Sequence, residues 1–147
     1  NADLVRREDE QGIRDSERLI QALIKRENER GIPSEKIVLA GFSQGCAMIL
    51  HTGTRFEQKL AGLVGLSGYL PLPELFAAER HSANQDLPIF MAHGTQDPVV
   101  TLDRAQASCR LLQEQGYQVT FKTYTMPHSV CLPEIGDIAD FLRKVLL

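Results

Sequence analysis

No run of lysine or arginine occurs in this chain of 147 residues, whose formal net charge is -3. Without a basic stripe it lacks the electrostatic footprint that nucleic acid or an anionic membrane surface requires. Long apolar runs are missing too: the longest are a few residues, far short of the about 20 needed to cross a bilayer, so no stable membrane insertion is expected. Cysteine is scarce. Cys46, Cys109 and Cys131 are odd in number and lie 63 and 22 residues apart, which suits neither a disulfide framework nor a zinc site. Reduced thiols in a cytoplasmic protein are the expectation, with no metal and no cofactor. The chain starts at Asn1 rather than at Met, and no basic stretch followed by an apolar one opens it. A secretory leader is therefore not expected, and a missing front end is. What is present, 43% hydrophobic and 24% charged, is the composition of one globular domain over residues 1–147, suited to a small neutral or apolar substrate.

Ile13, Leu19, Ile20, Leu23 and Ile24 recur at helical spacing among charged residues, predicting an amphipathic helix over roughly 13–30, closed by Gly31, Ile32 and Pro33. Residues 37–40, 60–66 and 89–92 are short continuous apolar runs, the mark of strands buried on both faces of a parallel sheet. Val119, Phe121 and Thr123 alternate with polar residues and predict a half-exposed edge strand. Helices are expected over 43–55, on the face Leu102, Ala105, Cys109 and Leu112 with Gly116 as stop, and after Pro133 with Ile135, Ile138, Leu142 and Val145 buried. Alternating helices and strands imply an α/β fold with a parallel sheet of about four strands, in which chemistry gathers at the carboxyl ends of the strands. Residues 68–86 read as one long irregular loop.

Gly41-Phe42-Ser43-Gln44-Gly45 fits G-x-S-x-G between a buried strand and a helix, the context in which that motif forms a nucleophile elbow. Gly41 and Gly45 supply the small residues that a sharp strand-to-helix turn needs. A serine hydroxyl must lose its proton to a base, and the base needs a carboxylate to fix its tautomer. Asp97 follows the third strand and His128 the fourth, giving the order Ser, Asp, His. Asp103 competes as acid but falls one turn into a helix, where a solvated carboxylate is natural. Among the other histidines, His51 and His81 suit surface positions, and His93 suits a structural hydrogen bond beside the site. The Gln44 N–H is the expected oxyanion donor. Leu70, Leu72, Leu75 and Phe76 could wall an acyl pocket, though core packing explains them as well. Cys46 and Cys131, near Ser43 and His128, are expected to be packed and inert.

Four ordered blocks resemble one family: Gly-Phe-Ser-Gln-Gly-Cys-Ala-Met at 41–48, Leu-Ser-Gly-Tyr-Leu-Pro at 66–71, His-Gly-Thr-Gln-Asp-Pro-Val-Val at 93–100 and His-Ser-Val-Cys at 128–131. They are similar to the bacterial carboxylesterases related to acyl-protein thioesterases and lysophospholipases, and the similarity extends to Arg6-Arg7-Glu8-Asp9-Glu10. It implies an α/β-hydrolase fold that hydrolyses short to medium acyl esters or thioesters through an acyl-serine, with Ser43, Asp97 and His128 as the triad. Family members begin with further strands and a His-Gly-rich loop that donates a second oxyanion N–H, and neither segment is found in this sequence. The resemblance thus implies a hydrolase fold lacking its N-terminal strands, lowered turnover, and an open edge on the strand at 37–40 covered by a second copy or by a separate N-terminal fragment. The alternatives in activity are an acyl-protein thioesterase or a lysophospholipase. The alternative of another class is a weakened hydrolase kept as an interaction or assembly module.

Overall fold

The computed structural model describes residues 2–147, with side chains from residue 9 onward; Arg6, Arg7 and Glu8 of the resemblance at 6–10 lie outside the described side chains. Helix α1 (Ala2–Glu29) leads through a 3-10 turn into strand β1 (Val38–Phe42), helix α2 (Gln44–Arg55) and strand β2 (Gly62–Leu66). Helix α3 (Pro73–Glu79), strand β3 (Ile89–Gly94), helix α4 (Leu102–Glu114), strand β4 (Val119–Tyr124) and helix α5 (Leu132–Leu146) follow. The four strands are parallel and lie in the order β1-β2-β3-β4, so every strand end that follows a crossover opens on the same edge of the sheet.

Alternation along the strands sends side chains to two packed faces. Leu63, Ile89 and Met91 join Ile24, Leu50, Phe76 and Leu112 on the face covered by α1 to α4. Val64, Phe90 and Ala92 face Phe141 of α5 on the other. Each large side chain so buried contributes about 1.5–3 kcal/mol, and that burial holds the strand ends in register.

Several expectations are corrected. Helix α1 begins well before residue 13, and its apolar residues divide: Ile24 is buried, whereas Leu19 and Leu23 are 68% and 60% exposed. The run at 37–40 is not buried on both faces: among the described residues β1 pairs with β2 alone, and Ala40 and Phe42 are exposed. The stretch at 68–86 is not irregular throughout: Pro73 sits in the first turn of α3, where its missing N–H costs nothing, and a 3-10 turn covers Ser82–Asn84. In α5 the buried apolar residue is Phe141, with Ile138, Leu142 and Val145 packed beside it; Ile135, in the second turn, is 52% exposed. Strand β4 is the half-exposed edge that its alternation predicts.

Candidate active site

Ser43 stands between β1 and α2 with φ 59° and ψ -115°, a left-handed conformation that strains a residue with a side chain and lifts its hydroxyl off the sheet edge. Its N–H is tied to Leu66 O at 2.8 Å. Gly41 is required here: a Cβ at this position would lie 2.2 Å from Gly45 O. Gly45 is not, since nothing lies within 4 Å of a Cβ built on it. The expectation that both glycines relieve crowding therefore holds for Gly41 alone, because the turn brings the Gly45 carbonyl, not its Cα, against β1.

Two later loops meet Ser43. After β3 the chain turns so that Asp97 is buried, and after β4 it delivers His128. The loops are joined: Gln96 N–H donates to Met126 O, Thr95 N–H to Tyr124 O, and a Cβ on Gly94 would meet Met126 O at 2.3 Å. His128 Nδ1 lies 2.7 Å from Asp97 Oδ2, and its Nε2 lies 3.0 Å from Ser43 Oγ. An ionised carboxylate only accepts, so Nδ1 carries the proton and Nε2 is free to accept from the serine hydroxyl. Asp97 Oδ1 takes the N–H groups of Val99 and Val100 at 2.8 and 2.9 Å. Burial pushes the Asp97 carboxyl up, but the hydrogen bonds from His128, Val100 and Val99 outweigh it and hold the group below its ordinary value. The sequence thus nominated three residues that the fold brings into one hydrogen-bonded line.

Other nominated residues fall elsewhere. Asp103 is exposed in the first turn of α4 and His81 is exposed, as expected. His51 is not at the surface: it is fully buried, with Nε2 donating to Glu17 Oε1 at 2.7 Å. Cys46 is buried, and desolvation pushes its thiol up to about 12, which leaves no thiolate at neutral pH. Cys131 is half-buried at the start of α5, its thiol taking the Glu134 N–H. Among the described residues no group of three or more His, Cys, Asp or Glu could hold a metal ion.

A groove of about 1080 Å³ starts at Gln44, beside the serine, and runs past Met48, Leu70 and Leu72 to Ile13 and Leu111. Ser43, Asp97 and His128 stand outside its lining. Tyr69 walls it with the Arg104 guanidinium stacked 3.5 Å above the ring. Of the four nominated pocket residues, Leu70 and Leu72 line this groove; Leu75 does not, and Phe76 is fully buried against Tyr117 in the core. Two contributors were missed. Phe42 lays its ring 4.9 Å from that of His128, and the Val99 and Val100 N–H groups hold Asp97. Only the Asp-Pro pair at 97–98, a turn-forming combination, hinted at the second.

The model of the Phospholipase/Carboxylesterase family matches residues 2–146. The chain belongs to this family. It is 47% identical over 146 residues to acyl-protein thioesterase 1 of Neurospora crassa, covering 97% of this chain and 60% of the relative. Acyl-protein thioesterase 1 of Gibberella zeae is 43% identical over 146 residues, covering 97% of this chain and 62% of that protein. The chain therefore spans about 60% of the length of these curated relatives. Where the sequence blocks resemble bacterial carboxylesterases, these relatives are fungal and carry the thioesterase name. The crystal structure of Arabidopsis thaliana SOBER1 superposes with a TM-score of 0.86 at 27% identity, over 92% of this chain and 65% of that one. Acyl-protein thioesterase 2 of Zea mays, 24% identical with a TM-score of 0.80 over 93% of this chain and 66% of that one, shares the α/β-hydrolase fold.

Proposed function

We propose that this chain carries the reaction centre of a serine hydrolase that cleaves acyl thioesters, with oxygen esters as further substrates. The observation that carries the reading is the line Ser43 Oγ, His128 Nε2, His128 Nδ1, Asp97 Oδ2, with separations of 3.0 and 2.7 Å across its two hydrogen bonds. Ser43 Oγ attacks the acyl carbonyl carbon while its proton passes to His128 Nε2, and the carbonyl oxygen gains the negative charge. Asp97, ionised and buried, stabilises the imidazolium. The Gln44 N–H, at the start of α2, is placed in sequence to receive the oxyanion. Collapse breaks the bond to sulfur or oxygen, and the leaving group takes the proton from Nε2. Water, deprotonated by His128, then attacks the acyl-serine and releases the carboxylic acid and Ser43.

Preference for thioesters is supported by relatives up to 47% identical that carry the name acyl-protein thioesterase 1. The sequence blocks favoured carboxylesterase activity, and the family description, Phospholipase/Carboxylesterase, keeps ester and lysophospholipid hydrolysis as the second reading. The groove beside Gln44, with Leu70 and Leu72 in its wall, suits an acyl chain. The experiment is fluorophosphonate labelling mapped to Ser43, followed by kcat/KM for a thioester and an oxygen ester of identical acyl chain. A thioester advantage is expected, and labelling anywhere but Ser43 would overturn the assignment.

We also propose that the 147 residues act as one α/β-hydrolase domain in a reducing, cytoplasmic setting; three free thiols support the compartment. No helix among the described residues is long and apolar enough to cross a membrane. The free edge of β1, with Ala40 exposed, supports association with a second copy or a separate strand-bearing fragment, which light scattering with intact mass analysis would reveal.

A further inference from the structure

We infer that His93 is a positioning residue of this site: it grips the Val100 peptide and through it sets the carboxylate of Asp97. The inference rests on the reading in which Asp97 orients His128 for Ser43. His93 lies near the end of β3 and is 1% exposed. Its Nε2 is 2.7 Å from Val100 O. A carbonyl only accepts, so Nε2 bears the proton. The N–H of the same Val100 donates to Asp97 Oδ1 at 2.9 Å. Val100 is thus held at both ends, its N–H on the carboxylate and its C=O on the imidazole.

The loop is also held by the Val99 N–H on Asp97 Oδ1, by the buried Val100 side chain and by His93 Nε2 itself, 3.5 Å from Asp97 Oδ2, but among the described residues its carbonyl side has only His93. The bond from Asp97 N–H to Gly94 O is long at 3.4 Å, and the Val99 side chain is 66% exposed. Loss of the buried histidine donor is what releases the Val100 carbonyl. His93 is not a second base for Ser43, since the Nε2 proton is committed to Val100 and the ring is closed to solvent. The neighbouring loop has a buried tie of its own. Glu134, fully buried, accepts the Cys131 N–H at 3.2 Å where α5 begins, just after His128.

The test uses His93→Leu, which keeps apolar bulk without a donor, and His93→Gln, whose amide N–H can reach the Val100 carbonyl. His93→Asn, polar but too short, covers the case in which the leucine variant fails to fold. Two readouts are taken: the rate of fluorophosphonate labelling at Ser43 with kcat and KM for a short thioester, and amide hydrogen exchange at Val99 and Val100. A misplacement of about an ångström costs about a hundredfold, so Leu and Asn should lower labelling and kcat by about ten- to a hundredfold with KM nearly unchanged, and exchange at both amides should quicken at least about tenfold. Gln should recover most of each. Equal impairment by Gln and Leu, or a change in KM alone, would overturn the inference. So would unaltered exchange in Leu or Asn. If the unmodified chain fails to label, the hydrolase reading falls, and the exchange comparison still decides whether His93 holds the Asp97 loop.

Discussion

Replacing Asp97 by Asn separates the chemistry of this site from its stability. The side chain is fully enclosed, with Oδ1 on two backbone N–H groups at 2.8 and 2.9 Å and Oδ2 on His128 Nδ1 at 2.7 Å. An asparagine can keep its carbonyl oxygen on Val99 and Val100, so the loop retains its two backbone bonds. The amide nitrogen must then replace Oδ2 opposite His128. A donor now faces Nδ1, and the imidazole avoids the clash by moving its proton to Nε2. That nitrogen can no longer accept from Ser43 Oγ, and the charge that would balance an imidazolium is gone as well. The same exchange in a serine protease costs about ten-thousandfold in turnover, equivalent to about 5.5 kcal/mol of barrier. Stability should move far less, by about 1 kcal/mol, since only the charge-assisted bond to a partly exposed histidine is lost. The assay is the fluorophosphonate labelling rate at Ser43 beside a urea melt of the same preparation. Labelling within tenfold of the unmodified chain, in a variant that melts at the same urea concentration, would refute the reasoning.

Gly41→Ala should abolish Ser43 labelling and lower the melting temperature, because its Cβ would stand 2.2 Å from Gly45 O, whereas Gly45→Ala should label normally, with open space around its Cβ. Glu79 joins three helices by accepting from Arg14 and Arg55 at 2.8 Å each, and these partners hold its carboxyl at about 2, against an ordinary 4.5. A carboxyl with a depressed folded-state value stabilises fully above its unfolded value and loses that contribution as pH falls toward about 2, so Glu79→Gln should cost about 1–2 kcal/mol at pH 6, after allowance for solvent screening, and less at pH 3 in paired urea melts. Replacing Cys46, Cys109 and Cys131 together by Ala should leave the labelling rate of Ser43 unchanged, since Cys46 is a buried neutral thiol and none of the three is bridged.

What the sequence made legible is what local chemistry determines. The first three strands follow from short apolar runs and the fourth from alternation, and the elbow follows from Gly41 and Ser43 standing between such a run and a helix. Asp97 and His128 could be placed because each lies just past a recognisable strand, and parallel pairing brings all such ends to one edge. His51 could not be placed. Its helical spacing from Ser43 says nothing of Glu17 and Arg14 on α1 or of Glu79 on α3, which meet it and Arg55 only after three helices pack. Residues 73–79 were hidden for a related reason, since Pro71 and Pro73 read as loop until Pro73 is seen to occupy the first turn of α3. The exposed Ile135 and the buried Phe141 show that periodicity fixes which residues share a helix face but not which part of that face meets the sheet.

The same distinction separates reaction from substrate in this molecule. The groups proposed to make and break bonds sit on three strand ends, and each is specified by a few residues adjacent in sequence. The groove beside them is assembled from α1, the first turns of α2, the segment around Leu70 and Leu72, and α4, pieces nearly a hundred residues apart. No local pattern encodes its shape, which is why Leu75 and Phe76 were nominated with Leu70 and Leu72 although α3 turns Phe76 into the core. Substitutions in the groove should accordingly alter which acyl group is accepted while leaving the Ser43 to His128 distance untouched. Those at Gly41, His93 or Asp97 should lower turnover for every substrate alike.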